Sequence, residues 1–130
     1  MRSLQLVNLA AKLALNKKSY DIKKIDLKKV TSVADYFLIC SADVSVQVRA
    51  IADEIEDGLK LKGERLFKRE GQEIGNWIIL DYVDVVIHIM KKEIREFYNL
   101  ENLWGDAKIT SVVEKKLTKA KVSRKKVTKK

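Results

Sequence analysis

Residues 76–90 read NWIILDYVDVVIHIM, and no other stretch of the chain restricts its fold so tightly. Two apolar, β-branched runs meet at Asp81-Tyr82-Val83-Asp84. Such runs with so short a connection predict two adjacent antiparallel strands, because two strands joined this tightly can only fold back on each other. In the second run Val85, Ile87 and Ile89 point one way, while Asp84, Val86, His88 and Met90 point the other. The wholly apolar side has to meet a core. The question is whether Asp81, Asp84 and His88, the chain's one histidine, form a site of chemistry or the polar trim of a hairpin.

The rest of the chain supplies what covers that hairpin. Residues 3–17 space Leu6, Val7, Leu9, Ala10, Leu13 and Ala14 as one face of a helix, with Ser3 placed to cap it. YDIKKIDLKKV alternates from Ile25 onward and reads as an edge strand guarded by lysine. YFLIC, residues 36–40, is a continuous apolar run expected at the centre of a sheet, buried on both faces. Between Asp43 or Ser45, either able to cap, and Gly63, the residues Val48, Ile51, Ala52, Ile55 and Leu59 form one helical stripe. RLFKREG offers a short third strand, and a short helix is expected from about Glu93. The expected fold is α/β (mixed α+β): one domain over residues 1–110, with a roughly five-stranded mixed sheet flanked by helices.

At 130 residues the chain is long enough to bury roughly two-thirds of its unfolded surface. No apolar run is long enough to span a bilayer, and the N-terminal segment reads as an amphipathic helix better than as a secretion signal. Cys40, the one cysteine, sits in the apolar run and reads as a buried small residue, and a reducing, cytoplasmic setting is the default. The net charge of +9 lies wholly in Lys115–Lys130, which holds nine Lys/Arg and no acid, so residues 1–114 are balanced. Residues 111–130 are therefore expected to be a basic, disordered tail. Such a tail reads either as a solubilising end or as a phosphate-seeking arm, and in the second reading Lys115, Lys116, Lys119, Lys121, Arg124, Lys125 and Lys126 are its candidates for contact with RNA phosphates.

The polar residues of the hairpin are poor material for catalysis. A lone histidine has no second ligand with which to hold a metal. Metal-dependent phosphoryl transfer needs paired carboxylates on one strand face, and the position two beyond Asp84 is Val86. GQEIG lacks the lysine and the length of a phosphate-binding loop. No cofactor or metal is called for by these residues. Aromatics, by contrast, crowd the final third: Trp77, Tyr82, Phe97, Tyr98 and Trp104, with Leu100 and Leu103 among them. Trp, Tyr and Arg are the types that dominate protein–protein hot spots, and Asp81, Tyr82, Asp84 and Arg95 are hard to place in a core. A docking surface is the reading that lacks no part. It is expected to draw on Trp77, Leu80, Asp81, Tyr82, Asp84, His88, Arg95, Phe97, Tyr98, Leu103 and Trp104.

Taken in order, ADYFLICSADVSVQVRAIADEIED, GNWIILDYVDVVIHIM and REFYNLENLWGDA resemble the ribosomal silencing factor (iojap-like) family across about residues 3–108. Two positions depart from the family pattern, Ala42 and Val83 standing where glycine is common; a valine argues against a turn with positive φ in the hairpin. The resemblance implies a nucleotidyltransferase-like fold that has lost its catalytic acid at Val86, leaving a nucleotidyltransferase-like enzyme as the alternative. It implies a protein that docks on the large ribosomal subunit through ribosomal protein fourteen, keeps the small subunit from joining, and represses translation. It further implies a homodimer, which members often form, and a role in large-subunit assembly in organelle relatives. The Lys-rich tail matches nothing in the family pattern.

Overall fold

The computed structural model describes residues 2–113. Helix α1 (Ser3–Asn16) leads into strands β1 (Tyr20–Asp26) and β2 (Tyr36–Ala42), then helix α2 (Ser45–Leu61). Strands β3 (Lys68–Glu70), β4 (Trp77–Asp81) and β5 (Val85–Lys91) follow, then helix α3 (Lys92–Tyr98), a 3₁₀ turn (Leu100–Trp104) and strand β6 (Lys108–Val112). The sheet order is β3-β4-β5-β2-β1-β6. Every neighbouring pair is antiparallel except β2 and β5, which run parallel with Tyr36 opposite Val85 and Ala42 opposite Lys91. The apolar run at 36–40 does sit at the centre, as its continuous hydrophobicity requires.

The two faces of the sheet are covered differently. Leu38, Cys40, Ile78, Leu80, Val85, Ile87 and Ile89 pack against α1 and α2 in the main core. There the stripe Val48, Ile51, Ala52, Ile55 and Leu59 is fully buried, and so is Cys40, whose thiol burial pushes up to about 12. The opposite face carries Ile25, Leu27, Ile39 and Met90 under α3 and the 3₁₀ turn. α3 and the 3₁₀ turn are too short to roof the whole face, so it stays partly open.

Several expectations are corrected. The sheet has a sixth strand, β6, which pairs with β1 and takes over the edge; β1 is therefore an inner strand. β6 runs through position 110, the expected end of the domain. Ser3 does not cap α1: its hydroxyl donates to Asp35 Oδ2 at 2.8 Å, while the Arg2 N–H donates to Gln5 Oε1 at 3.2 Å. Neither Asp43 nor Ser45 caps α2; Val44 takes the N-cap position, and Asp43 accepts the Tyr20 hydroxyl at 2.5 Å. Gly63 does end that helix, at φ +83°.

The hairpin tip is the most instructive correction. Val83 adopts φ +73°. Its N–H donates to Asp81 Oδ1 at 2.8 Å, and the Asp84 N–H donates to the Tyr82 carbonyl at 2.9 Å, closing a three-residue turn centred on the valine. A β-branched residue there is strained, by about 1–2 kcal/mol. With its side chain largely in solvent, little burial offsets that strain. Val83→Gly is therefore expected to raise stability by about 1 kcal/mol, after the extra entropy lost by glycine. Urea unfolding should show a higher midpoint at an unchanged slope.

Candidate functional site

On the partly open face, alternate residues of β2, β4 and β5 point outward together: Phe37 from β2, Trp77 and Ile79 from β4, Val86 and His88 from β5. The lid formed by α3 and the 3₁₀ turn adds Phe97, Tyr98 and Trp104. The rings form one continuous run. Phe97 lies 5.0 Å from Tyr98, Tyr98 5.0 Å from Trp77, Trp77 5.9 Å from His88, His88 4.7 Å from Phe37 and Phe37 5.8 Å from Trp104, centroid to centroid. All five distances fall in the range where tilted and edge-on ring pairs attract. The Phe37 and Trp104 end of this run is partly buried and the other end is in solvent: Phe97 is 80% exposed, Tyr98 51% and nearby Leu103 67%.

His88 works below this surface. Trp77 Nε1–H donates to His88 Nδ1 at 3.1 Å, which makes Nδ1 an acceptor and requires the neutral ring. Burial pushes the imidazole down to about 4, for want of a counter-charge. A 6% exposed ring in that state holds the indole of Trp77 at a set angle.

Arg95 is buried as well, which its charge concealed. Its guanidinium reaches three elements: Nη2 donates to Glu101 Oε2 at 2.8 Å, Nη1 to Ser41 Oγ at 2.8 Å, and Nη1 also to the Asp21 carbonyl. Asp21 lies in the irregular stretch of β1 at φ +50°, where the register with β2 shifts. That bulge bends the strand locally where its carbonyl meets the arginine. Arg95 thus ties the lid to two strands from beneath.

A third support lies just before β4. Arg49 of α2 donates to the carbonyls of Gln72, Glu73 and Ile74 at 3.0, 2.7 and 3.2 Å, closing the loop that leads into Trp77. Gly71, at φ +89°, lies so close that a Cβ there would meet the Trp77 carbonyl oxygen at 2.0 Å.

Of the eleven residues expected on the docking face, the structure leaves five at or near the open surface and buries four. Trp77, Phe97, Tyr98, Leu103 and Trp104 lie at or near the open aromatic surface. Leu80, Tyr82, His88 and Arg95 are buried, and this corrects the reading of Tyr82 and Arg95 as foreign to a core. Leu80 and Tyr82 face the opposite core, against the helices. Asp81 shares Trp77's side of the strand but lies four residues on, about 13 Å away at the strand rise. Asp84 is exposed, and its backbone carbonyl anchors Asp35 and Tyr36 at 2.7 and 3.2 Å. Phe37, in the middle of the ring run, was missed because its apolar stretch reads as uniformly buried. The strand alternation that sets it opposite Leu38 was the available signal. The candidate RNA contacts from Lys115 to Lys126 lie outside the described residues.

Among the described residues no three His, Cys, Asp or Glu side chains are grouped to hold a metal, and no helix is long and apolar enough to cross a membrane. The fold and site together define a small mixed α/β domain that presents a half-roofed aromatic face. The model of the family described as "Ribosomal silencing factor during starvation" matches residues 1–130. The chain is 39% identical over 112 residues to the ribosomal silencing factor RsfS of Bacillus subtilis, covering 86% of this chain and 95% of that protein. It is 29% identical over 101 residues to the mouse protein named mitochondrial assembly of ribosomal large subunit protein 1, covering 75% of this chain and 44% of that one. A crystal structure of a Chromobacterium violaceum protein superposes with a TM-score of 0.79 at 32% identity, covering 88% of this chain and 95% of that one. The chain belongs to the ribosomal silencing factor family.

Proposed function

We propose that the chain docks on the large ribosomal subunit through ribosomal protein fourteen, using the face that carries Trp77, Tyr98 and Phe97, and prevents the small subunit from joining. The observation that carries this reading is the ring run, supported from below by His88 and Arg95 and open at its outer end. Solvent-exposed aromatics on a rigid base lose little entropy on binding, which is what hot spots require. An interface of about 800 Å² per partner would be sufficient. The mechanism is steric occupancy: a 14.9 kDa body on the joining surface overlaps the incoming subunit without any chemistry. Exposed Glu93, Glu96 and Asp106 on the lid complement a basic ribosomal protein, and the Lys-rich tail adds salt-dependent contact with ribosomal RNA. The name of the mouse relative favours a second reading, in which the same docking serves large-subunit assembly.

Sedimentation with purified large subunits tests the first reading. Phe97→Ser leaves the core untouched, so the circular dichroism spectrum should not change, while binding should weaken by at least tenfold, about 1.4 kcal/mol. Deletion of residues 115–130 should leave binding in place with a shallower salt dependence. Full binding by Phe97→Ser and Trp77→Ala together would place the interface elsewhere.

A further inference from the structure

The C-terminal end of α2 borders a cavity of about 380 Å³ on the helix side of the sheet, away from the aromatic face. The last turns of the helix supply Glu56 and Lys60, the linker to β3 supplies Glu64, Arg65 and Leu66, and Tyr82 of the hairpin forms the inner wall. A volume of this order is at the small end of those that hold organic ligands. Tyr82 is 7% exposed, and among the described residues its hydroxyl has no hydrogen-bond partner. Burial first, and then the neighbouring Glu56 carboxylate, push the phenol up, so it keeps its proton and is a donor. A buried O–H left without an acceptor costs free energy that a phenylalanine in its place would not. The charges around the cavity differ in how they are used. Glu56 is taken by Arg69 at 2.7 Å, and Glu64 is engaged as well. The side chains of Lys60 and Arg65 are exposed, and among the described residues neither makes an ion pair or a hydrogen bond.

We propose that this cavity binds a small ring-bearing anion: the ring lies on Leu66 and Tyr82, a neutral oxygen at its inner end accepts the Tyr82 hydroxyl, and a phosphate or carboxylate at its outer end sits between Lys60 and Arg65. The inner oxygen is neutral because the Glu56 carboxylate borders the phenol and repels a negative charge there. The outer group is anionic because two unpaired cations line the cavity, and the arginine fork fits either oxyanion. Residues 64–67 have no regular secondary structure, so the wall that carries Arg65 and Leu66 can yield to admit the ligand. The site is separate from the proposed docking face, which lies across the sheet.

The test uses the full-length, isotope-labelled protein with 4-acetylphenyl phosphate and 4-acetylbenzoate as probes, the tighter of the two identifying the oxyanion. Amide shifts should centre on residues 56–66 and on Tyr82. Phenyl phosphate, which lacks the inner oxygen, and 4-acetylbenzyl alcohol, which lacks the charge, should each bind roughly tenfold more weakly. Tyr82→Phe should bind the acetyl probes roughly tenfold more weakly, with its affinity for phenyl phosphate unchanged and its stability no lower than the parent's. Arg65→Ala, a change at an exposed side chain, should weaken both acetyl probes by about the same factor. Absence of any shift at millimolar probe would overturn the proposal, as would shifts confined to residues 114–130 or to Trp77 and Tyr98. So would a Tyr82→Phe protein that binds the acetyl probes as the parent does, or binding of the uncharged alcohol as tight as that of the anions.

Discussion

Replacing Arg95 by leucine should cost about 3 kcal/mol of folding stability, although the new side chain is apolar and the site is buried. Removing one partner of a buried ion pair typically costs 3–5 kcal/mol, since the other is left without compensation. The lower end applies because the Glu101 side chain is 20% exposed and can recover water. The Ser41 hydroxyl and the Asp21 carbonyl lose their donor in the same step. Arg95→Lys should recover part of the loss, since an ammonium keeps the charge but cannot span three acceptors in one plane. The double variant Arg95→Leu, Glu101→Leu should be more stable than Arg95→Leu alone, because the stranded carboxylate is gone. Urea unfolding of the four proteins checks this. The functional consequence is that the lid comes loose: Phe97 and Tyr98 lose the geometry that aligns them with Trp77, and binding to the large subunit should fall with stability. If Arg95→Leu were as stable as the parent, the guanidinium would not be the tie between lid and sheet.

The second large effect is an acid instability carried by one ring. His88 is the chain's only histidine, and burial holds it near 4 against an ordinary value of 6.5. Its folded-state value is depressed, so the unfolded chain binds the extra proton first as pH falls. The stability of the neutral buried form is fully present above 6.5 and is lost on descending toward 4. The loss is about 2 kcal/mol by pH 5 and about 3 kcal/mol at the foot of the window. Between pH 6.5 and 5 few carboxylates titrate, so the slope in that interval belongs to His88. The unfolding free energy of the parent should fall there, while that of His88→Gln should stay nearly level. Parallel pH profiles for the two proteins would mean that the ring is hydrated and titrates normally. At neutral pH His88→Leu should weaken large-subunit binding, since Trp77 loses the acceptor that orients its indole.

Legibility followed the range of the interactions. The β4–β5 hairpin, the central strand around Leu38 and the stripe of α2 were readable because period and polarity are local properties of a run. Arg95 was not. Its acceptors lie 74 and 54 residues away at Asp21 and Ser41, and a charged residue in a short helix reads as surface. Strand β6 was missed because five largely exposed residues beside a lysine tail have no apolar face to announce them. The same oversight made β1 look like the edge. Val83 shows the limit of conformational preference: the Asp81 side chain and the demands of a tight hairpin hold a valine where glycine would be at ease. For the candidate site, the aromatic types were visible in the chain, but their division into a contact layer and a buried support depends on which side of each strand faces the helices.

The most direct measurement is a reconstruction of the large ribosomal subunit with this chain bound. The rings of Trp77, Tyr98 and Phe97 should lie against ribosomal protein fourteen, with the body of the domain projecting into the volume that the small subunit occupies on joining. A bound chain held by its α1–α2 side, or by the tail alone with those rings in solvent, would contradict the account.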